Sequence, residues 1–292
     1  CHRQIVLRLL AADVALRFGQ SLNLISMSAA KSANLETALI TGASSGIGLE
    51  LAKCFAADGC RLILVARNQI ALEKLADELR RENKVEIVVL NADLSLPETP
   101  KKIFENLSAQ KILVDILVNN AGFGLNGAFA ELPLARQLEM LQVNVAALTE
   151  LTGHFLPPMI ERNRGGILNV GSVAGFMPGP GMAIYFATKA FVLSFTEALA
   201  EELAKTDLKI SVLCPGSTAI NFSQIARGGK SRKIQTSKMS ADEVARQGHR
   251  AFRRGKIISI PGQRNRALVF AQKLLPRRFV RKAAAFFNKM EE

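Results

Sequence analysis

The feature that most restricts the fold of this chain is a regular alternation of short apolar runs with longer segments of helical periodicity. Ala38 to Ile40 is the first apolar run, and Ile47 to Asp58 has helical spacing. The pattern repeats along the chain, with further strands predicted at 62–65, 85–90, 116–118, 166–170, 210–213 and 257–260. Alternating strands and helices form a parallel sheet with helices on both faces, and unbroken apolar runs are typical of strands buried on both sides. We therefore predict an α/β fold, a doubly wound parallel sheet in a single domain.

Two long helices can also be located from the sequence. Helical periodicity extends from Leu134 to Phe155, and we expect Pro157-Pro158 to stop this helix because proline lacks the backbone donor and clashes with the preceding turn. A second long helix is predicted from Ile184 to Ala204, and a shorter one follows Pro97.

The chain divides into three parts by composition. Residues 1–34 are predicted to be an N-terminal extension with little order, and residues 35–265 form the α/β domain. Residues 266–292 form a basic amphipathic tail interrupted by Pro276. Within the domain, the Gly-, Lys-, Arg- and Ser-rich segment 224–240 is predicted to be a mobile loop with a little helix.

The formal net charge of +13 favours anionic partners, namely a phosphorylated cofactor, an acidic membrane surface or nucleic acid. The sequence has no aromatic stacking platform and no finger or helix-turn-helix signature, which argues against nucleic acid. The four Cys and three His are scattered, so we predict neither a metal site nor a disulfide framework. No apolar stretch reaches the roughly 18 residues of a membrane span.

A glycine-rich turn, Thr41–Gly48, lies between the first predicted strand and the first predicted helix. Gly42 can take a backbone conformation closed to other residues, while Gly46 and Gly48 leave room where a pyrophosphate and the sheet approach. Backbone N–H groups at the start of the helix then face the anion. The sequence predicts a dinucleotide-binding turn, with contacts from Gly42, Ser44, Ser45, Gly46, Ile47 and Gly48.

The end of the second strand indicates which dinucleotide binds. A site that prefers NAD places an acid about 20 residues after the glycine turn, where it binds the ribose hydroxyls. Here the strand ends with Val65-Ala66-Arg67-Asn68 and carries no acid, and a guanidinium suits a 2′-phosphate. We therefore predict NADP(H) in preference to NAD(H). The alternative role of Arg67 is a solvated surface charge.

The only tyrosine of the chain, Tyr185, lies four residues before Lys189 on a predicted helix, so the two side chains share a face. A neighbouring ammonium lowers the pKa of a phenol from its usual ~10 towards the range useful for acid–base catalysis. Ser172 follows the fifth strand, at the rim where parallel sheets bind ligands, and its hydroxyl could bond a substrate carbonyl. The set predicts carbonyl reduction by a nicotinamide hydride. A chance surface pair is the alternative for Tyr185 and Lys189 alone.

Together and in this order, the motifs resemble those of the short-chain dehydrogenase/reductase family. They are T-G-x-x-x-G-I-G at Thr41–Gly48, N-N-A-G at Asn119–Gly122, Ser172, Y-x-x-x-K at Tyr185–Lys189 and the turn Pro215-Gly216. The resemblance covers residues 36–220. It implies a Rossmann-type sheet of seven strands in the order 3-2-1-4-5-6-7, and an oxidoreductase acting on CH-OH donors.

The resemblance also implies roles for individual residues. Asn144 would hold a water that relays protons to Lys189, so the catalytic residues would be Ser172, Tyr185, Lys189 and Asn144. Asp93 would contact the adenine, and both Tyr185 and Lys189 would contact the cofactor. Further cofactor contacts would come from Asn119, Ala121, Gly122, Pro215, Gly216 and Thr218. The family motif places this last threonine slightly later, where the chain has Ala219-Ile220-Asn221.

Three segments are predicted to frame the substrate cleft, at 123–129, 173–182 and 217–229. They are rich in Phe, Leu and Met, so we expect a small hydrophobic carbonyl compound or its alcohol as substrate. The resemblance implies a homodimer or homotetramer, although the apolar helix faces could equally belong to the core. We expect a cytoplasmic enzyme. Two alternatives stay open: a non-catalytic NADP-binding regulator, and a lipid or steroid ketone reductase held at a membrane surface by the basic tail.

Overall fold

The computed structural model describes residues 35–219 and 239–290. The extension predicted at 1–34 lies outside these residues, as does most of the loop predicted at 224–240. The basic tail contains two helices, which are separated at Leu275 and Pro276.

Helices and strands alternate along the chain. The first half contains β1 (Thr37–Thr41), α1 (Gly46–Ala57), β2 (Arg61–Ala66), α2 (Gln69–Asn83), β3 (Ile87–Asn91), α3 (Thr99–Ala109) and β4 (Ile116–Asn119). The second half contains α4 (Leu134–Leu141), α5 (Ala147–Arg162), β5 (Gly166–Val170), α6 (Ala183–Glu202), β6 (Lys209–Leu213), β7 (Thr218–Ala219), β8 (Met239–Ser240), α7 (Ala241–Arg253), β9 (Ile258–Ser259), α8 (Gln263–Leu274) and α9 (Arg277–Met290). Pro100, rather than Pro97, occupies the first turn of α3.

Seven of the described strands form one parallel sheet in the order β3-β2-β1-β4-β5-β6-β9. The predicted doubly wound fold is confirmed, and β9 is the seventh strand expected at 257–260. The strand order reverses between β1 and β4, and open sheets bind their ligands beyond the carboxyl ends of the strands at such a point. The turns after β1, β4 and β5 therefore meet at one rim.

The core lies on both faces of this sheet, because successive side chains of a strand point in opposite directions. Ile40 of β1 packs on one side with Phe55 of α1 and Phe252 of α7. Its neighbour Leu39 packs on the other side with Phe155 of α5. Strands enclosed in this way are mostly apolar, and polar residues within them, such as Asn169 of β5 and Ser211 of β6, are buried and hydrogen-bonded.

The long helix predicted at Leu134–Phe155 differs from expectation at two places. It is interrupted by a π-helical turn, Gln142–Ala146, which separates α4 from α5. It also continues through Pro157 and Pro158, so the prediction that these prolines stop it was wrong. Each proline removes one backbone donor from α5, and Phe155 and Met159 on either side of them are buried. The packing of these two side chains offsets the missing donors.

Replacing Leu64 with alanine tests the sheet core. Leu64 of β2 is fully buried, so we expect Leu64→Ala to lower the free energy of unfolding by about 3 kcal/mol through lost burial and the cavity left behind. The matched control is Ile70→Ala, because Ile70 is 85% exposed and its loss should cost under about 0.5 kcal/mol. Urea unfolding followed by circular dichroism measures both. Equal effects of the two substitutions would contradict the burial of β2.

Candidate active site

The turn between β1 and α1 depends on glycine at three positions. Gly42 and Gly46 have φ angles of +66° and +60°, a region that other residues enter only with strain. A Cβ at Gly48 would overlap the carbonyl oxygen of Gly42 and the side-chain amide of Asn120. The backbone therefore passes close to the end of β4 only because these side chains are absent. The resulting cradle fits the pyrophosphate of a dinucleotide.

The N-terminus of α1 supplies donors to this cradle. The hydroxyl of its N-cap residue, Ser45, makes no capping hydrogen bond, and the first turn carries no acidic side chain. The partial positive charge of the helix end is therefore not neutralised by the protein itself and suits an anion. Ser44 and Ser45 reach the surface, whereas the Ile47 side chain is buried in the core. Any contact of Ile47 with a cofactor must therefore come from its backbone.

Thr41 fixes the glycine turn to the loop after β4. Its buried hydroxyl donates to the carbonyl of Val118 at 3.3 Å and accepts from the N–H groups of Asn120 and Ala121, each at 3.0 Å. The side-chain amide of Asn120 returns hydrogen bonds to the carbonyls of Thr41 at 2.9 Å and Gly42 at 3.2 Å. Both residues belong to the motifs found in the sequence, but their function as a clamp becomes visible only in the structure.

Asn119, which was expected to line the cofactor cleft, points into the protein. Its amide nitrogen donates to the hydroxyl of Thr152 at 3.2 Å and to Oδ1 of Asn169 at 3.0 Å. The side chain is buried, so it joins β4 to β5 and α5 beneath the cleft. Asn120, the next residue, is the one that reaches the glycine turn.

The three predicted catalytic side chains lie together beyond β5. Ser172 follows this strand, and its hydroxyl accepts a hydrogen bond from the N–H of Ala174 at 3.1 Å. The same hydroxyl hydrogen-bonds with that of Tyr185. The Nζ of Lys189 donates to the carbonyl of Val170 at 2.8 Å and lies 5.9 Å from the centre of the Tyr185 ring. The spacing of Tyr185 and Lys189 on α6 thus places both groups at the rim of the sheet.

Burial dominates the acid–base properties of this set. Part of the Tyr185 ring reaches solvent, but burial of its hydroxyl raises the pKa to about 12, against a smaller lowering by the Ser172 hydrogen bond. Burial also lowers the pKa of Lys189 to about 8, which the nearby Cys214 opposes. The expectation that the ammonium depresses the pKa of Tyr185 is therefore wrong for this structure, because desolvation is the larger effect. At neutral pH the phenol keeps its proton and can act as an acid.

Asn144 lies within the π-helical turn, and its buried side chain makes three hydrogen bonds to protein groups. Its oxygen accepts from the N–H of Phe123 at 3.0 Å, and its nitrogen donates to the carbonyl of Phe123 at 2.9 Å and to the hydroxyl of Thr188 at 3.1 Å. Because both amide donors are used, the side chain positions the loop after β4 against α6. A water relay at Asn144 stays a prediction.

Arg67 lies just after β2 with 67% of its side chain exposed. Its Nη1 is 4.0 Å from the Asp93 carboxylate and 3.9 Å from that of Glu139. Such exposed pairs are weak, so the guanidinium can turn to another anion at small cost. Although burial raises the pKa of Asp93, hydrogen bonds from Ser95 and the charge of Arg67 outweigh it and lower the pKa overall.

The turn after β6 closes the site on the other side. The carbonyl of Pro215 accepts from the N–H of Val173 at 3.0 Å, which holds this turn beside Ser172. A Cβ at Gly216 would overlap the side chain of Asn265, at the start of α8. Asn265 has no motif in the sequence, so its place beside the site could not be predicted. Thr218 begins β7, which is the last described strand before residue 220.

Two of the three segments expected to frame the substrate cleft are described. The N–H of Gly127 donates to the carbonyl of Gly181 at 2.8 Å, which joins segment 123–129 to segment 173–182. The Arg136 guanidinium lies over the Phe123 ring, 5.1 Å from its centre. The third segment, 217–229, lies mostly outside the described residues.

No group of three or more potential metal ligands occurs within residues 35–219 and 239–290. In the same part of the chain, α6 is long and apolar enough to cross a membrane by length and composition alone. This helix carries Tyr185 and Lys189, and its Val192 packs in a cluster with Val212 of β6. We therefore describe it as a helix of the α/β domain.

Comparison with known proteins identifies the family. The sequence model described as short chain dehydrogenase matches residues 36–228. The chain belongs to the short-chain dehydrogenase family. It is therefore an oxidoreductase that binds a nicotinamide cofactor, as the glycine turn and the Ser–Tyr–Lys set predict.

Individual relatives cover much of the chain. It is 38% identical over 184 residues to a short chain dehydrogenase of Pseudocercospora fijiensis, a match that spans 62% of this chain and 59% of the relative. It is 34% identical to an NADP-dependent 3-hydroxy acid dehydrogenase of Schizosaccharomyces pombe, across 68% of this chain and 77% of the relative.

Solved structures include complexes with both dinucleotides. A short-chain dehydrogenase from Sphingobium yanoikuyae in complex with NADPH is 35% identical with a TM-score of 0.74, covering 82% of this chain and 94% of that one. A relative from Burkholderia phymatum in complex with NAD is 27% identical with a TM-score of 0.71, covering 80% of this chain and 92% of that one.

Gly48→Ala tests the cradle. The added methyl group would push the turn away from Gly42 and Asn120, so we expect NADPH to bind at least about tenfold more weakly, because the loss of one charge-assisted contact has that size. The matched control is Gly153→Ala in α5, where a Cβ meets no atom within 4 Å. Because the chain contains no Trp, NADPH fluorescence reports binding without energy transfer from indole. Unchanged affinity in Gly48→Ala would contradict the proposed pyrophosphate position.

Proposed function

We propose that the protein is an NADP(H)-dependent reductase of small hydrophobic ketones or aldehydes, with Tyr185 as the acid/base. The observation that carries the proposal is the grouping of three side chains beyond β5, where the Ser172 hydroxyl bonds that of Tyr185 and Lys189 lies beneath the phenol ring. This grouping adjoins the loop after β4, since Lys189 Nζ lies 3.6 Å from where a Cβ of Gly122 would be, and the Thr41 hydroxyl joins that loop to the glycine cradle.

The chemistry needs a hydride on the carbonyl carbon and a proton on its oxygen. A bound nicotinamide cofactor supplies the hydride. The hydroxyl of Ser172 would bond the carbonyl oxygen and hold it within reach of Tyr185, which donates its proton. The phenolate that remains would be stabilised by the Ser172 hydroxyl and by the charge of Lys189.

The protonation state of the site favours reduction. A phenol whose pKa is raised to about 12 by burial is almost fully protonated at neutral pH. A protonated group is an acid, and carbonyl reduction needs an acid, whereas alcohol oxidation needs a base. We therefore propose that Tyr185 acts as the acid when the enzyme reduces a carbonyl compound.

The choice of cofactor rests on Arg67, which stands where sites that prefer NAD carry an acid. Its exposed guanidinium can form paired charge-assisted hydrogen bonds with a 2′-phosphate. The relative complexed with NADPH supports this choice. Because another relative was solved with NAD, the preference needs a direct test.

The substrate class rests on the two described segments that are predicted to frame the cleft. They carry Phe123, Leu125, Met177 and Met182, all partly buried, whereas Phe176 packs against the core beside Val192. Apolar walls favour an uncharged carbonyl compound. The hydroxy acid named for the Schizosaccharomyces pombe relative is the competing class, and a turnover panel that ranks charged keto acids above neutral ketones would exclude our proposal.

We also propose that the enzyme acts in the cytoplasm as a homodimer or homotetramer. The support is an apolar surface on α6, where the Phe191 ring is 39% exposed and stacks on Phe195 at 5.5 Å between ring centres. Burying such a surface against a second copy removes apolar area from water.

Replacing Tyr185 with phenylalanine separates catalysis from binding. We expect Tyr185→Phe to lower the rate of NADPH oxidation by about 10³-fold, since general acids contribute roughly this much. NADPH binding should persist, because the ring remains. The matched control is Ser194→Ala, which removes an exposed hydroxyl from the same helix and should leave turnover unchanged. If Tyr185→Phe keeps full activity, Tyr185 is not the acid.

Arg67→Gln tests the cofactor preference. Loss of the guanidinium should raise the KM for NADPH at least about tenfold, the size of a lost charge-assisted bond, and leave the KM for NADH unchanged. Glutamine is preferred to aspartate as the first variant because Asp93 and Glu139 already flank the position. The control is Arg81→Gln on α2, an exposed arginine. Equal changes for NADPH and NADH would assign Arg67 to the fold rather than to the 2′-phosphate.

A further inference from the structure

Helix α8 exposes a continuous apolar face. Residues spaced three and four apart lie on one side of a helix, and on α8 this side carries Ala267, Phe270, Ala271 and Leu274, all exposed. Phe270 is 66% exposed and Leu274 is 72% exposed, although Val269 on the opposite side is buried against the domain. Large apolar side chains exposed in a row mark an interaction surface rather than a random surface.

Helix α9 continues the pattern after the break at Pro276. Its exposed apolar residues Phe279, Ala283 and Phe286 are again three and four apart, while Ala284 on the other side is buried. The Phe279 and Phe286 side chains are 50% and 62% exposed. The two helices therefore each present an apolar face away from the core.

The charge of these helices identifies the kind of partner. Between Gln263 and Met290 the sequence contains eight basic residues and neither Asp nor Glu. Arg277 and Arg278 are exposed beside the apolar face of α9. Two copies of this surface would repel each other, whereas a bilayer with anionic headgroups satisfies both the apolar faces and the cations. We propose that α8 and α9 form a docking surface for an anionic membrane.

The docking surface lies next to the candidate active site, because α8 begins beside the turn after β6. Asn265 of α8 packs on Gly216 in the turn after β6. The Pro215 carbonyl of the same turn accepts a hydrogen bond from the N–H of Val173, the residue after Ser172. Docking would therefore bring a carbonyl compound dissolved in the bilayer close to the turn after β6. This step rests on the proposed function, whereas the docking itself does not.

Co-sedimentation of the full chain with lipid vesicles tests the docking. We expect the protein to bind vesicles of phosphatidylcholine with phosphatidylserine, to bind phosphatidylcholine alone far more weakly, and to dissociate at high salt. The variant R277Q/R278Q should bind the anionic vesicles about 30-fold more weakly, from about 1 kcal/mol for each cation. K74Q/R81Q on α2 removes the same charge from exposed positions and should bind as well as the wild type.

The apolar face is tested with F270S/L274S, which should bind anionic vesicles at least about tenfold more weakly. Its control is I70S/L113S, which removes two apolar side chains that are 85% and 58% exposed elsewhere. The proposal is overturned if the wild type does not sediment with anionic vesicles. It is also overturned if F270S/L274S alters only the oligomer size in sedimentation velocity, because the face would then bind protein.

Activity provides a separate readout. F270S/L274S should raise the apparent KM for a small hydrophobic ketone that partitions into anionic vesicles and leave the KM for a water-soluble ketone unchanged. If the wild type binds vesicles but oxidises NADPH with neither ketone, the docking surface stands and the proposed function fails. Equal KM changes for both ketones would contradict delivery from the bilayer.

Discussion

The burial of the Lys189 ammonium at the end of β5 is the constraint on which the rest of the site depends. Its Nζ is held by the carbonyl of Val170, so the position of the charge is set by the end of β5. The neighbouring backbone has no room for side chains, since a Cβ at Gly175 would overlap the carbonyl of Lys189 and one at Gly122 would lie 2.9 Å from the amide oxygen of Asn144. A buried cation with one carbonyl partner would stabilise the phenolate left after proton transfer, and the centre of the Tyr185 ring lies 5.9 Å from its Nζ.

Two hydrogen-bonded connections then align the halves of the site. In the cofactor half, the Thr41 hydroxyl joins the end of β1 to the loop after β4. In the catalytic half, Thr188 accepts from the Asn144 amide and donates to the carbonyl of Tyr185 at 2.7 Å. Both connections end at the loop after β4, the second through the hydrogen bonds of Asn144 to Phe123. This loop therefore fixes the position of the glycine cradle relative to the Tyr185 phenol. Preorganised groups of this kind need no rearrangement during the reaction.

The sequence was sufficient for the fold because the central strands are buried on both sides and are therefore mostly apolar. Thus β1 to β6 lie where the sequence predicts them, and β9 was found from Ile257, Ile258 and Ile260 alone. The glycine turn was equally predictable, since positive φ angles at Gly42 and Gly46 leave little choice of residue. Features of this kind can be predicted from the local sequence without knowing which residues pack against them.

The predictions that were wrong concern features that depend on tertiary packing. Pro157 and Pro158 lie inside α5 because buried residues around them outweigh lost hydrogen bonds, a balance that local rules do not contain. The π-helical turn at Asn144 has no composition signal of its own. The pKa of Tyr185 follows from how deeply its hydroxyl is enclosed, which spacing on a helix cannot reveal.

The single tyrosine makes the central claim directly measurable. Because the chain has one Tyr and no Trp, the near-ultraviolet absorbance of phenolate during an alkaline titration comes from Tyr185 alone. The account predicts that little phenolate forms at pH ~10, where a free tyrosine is half ionised, and that Ser172→Ala delays ionisation further while circular dichroism shows an intact fold. Half-ionisation near pH ~10 in the folded protein, unaffected by Ser172→Ala, would contradict a phenol enclosed beside the serine and the buried ammonium.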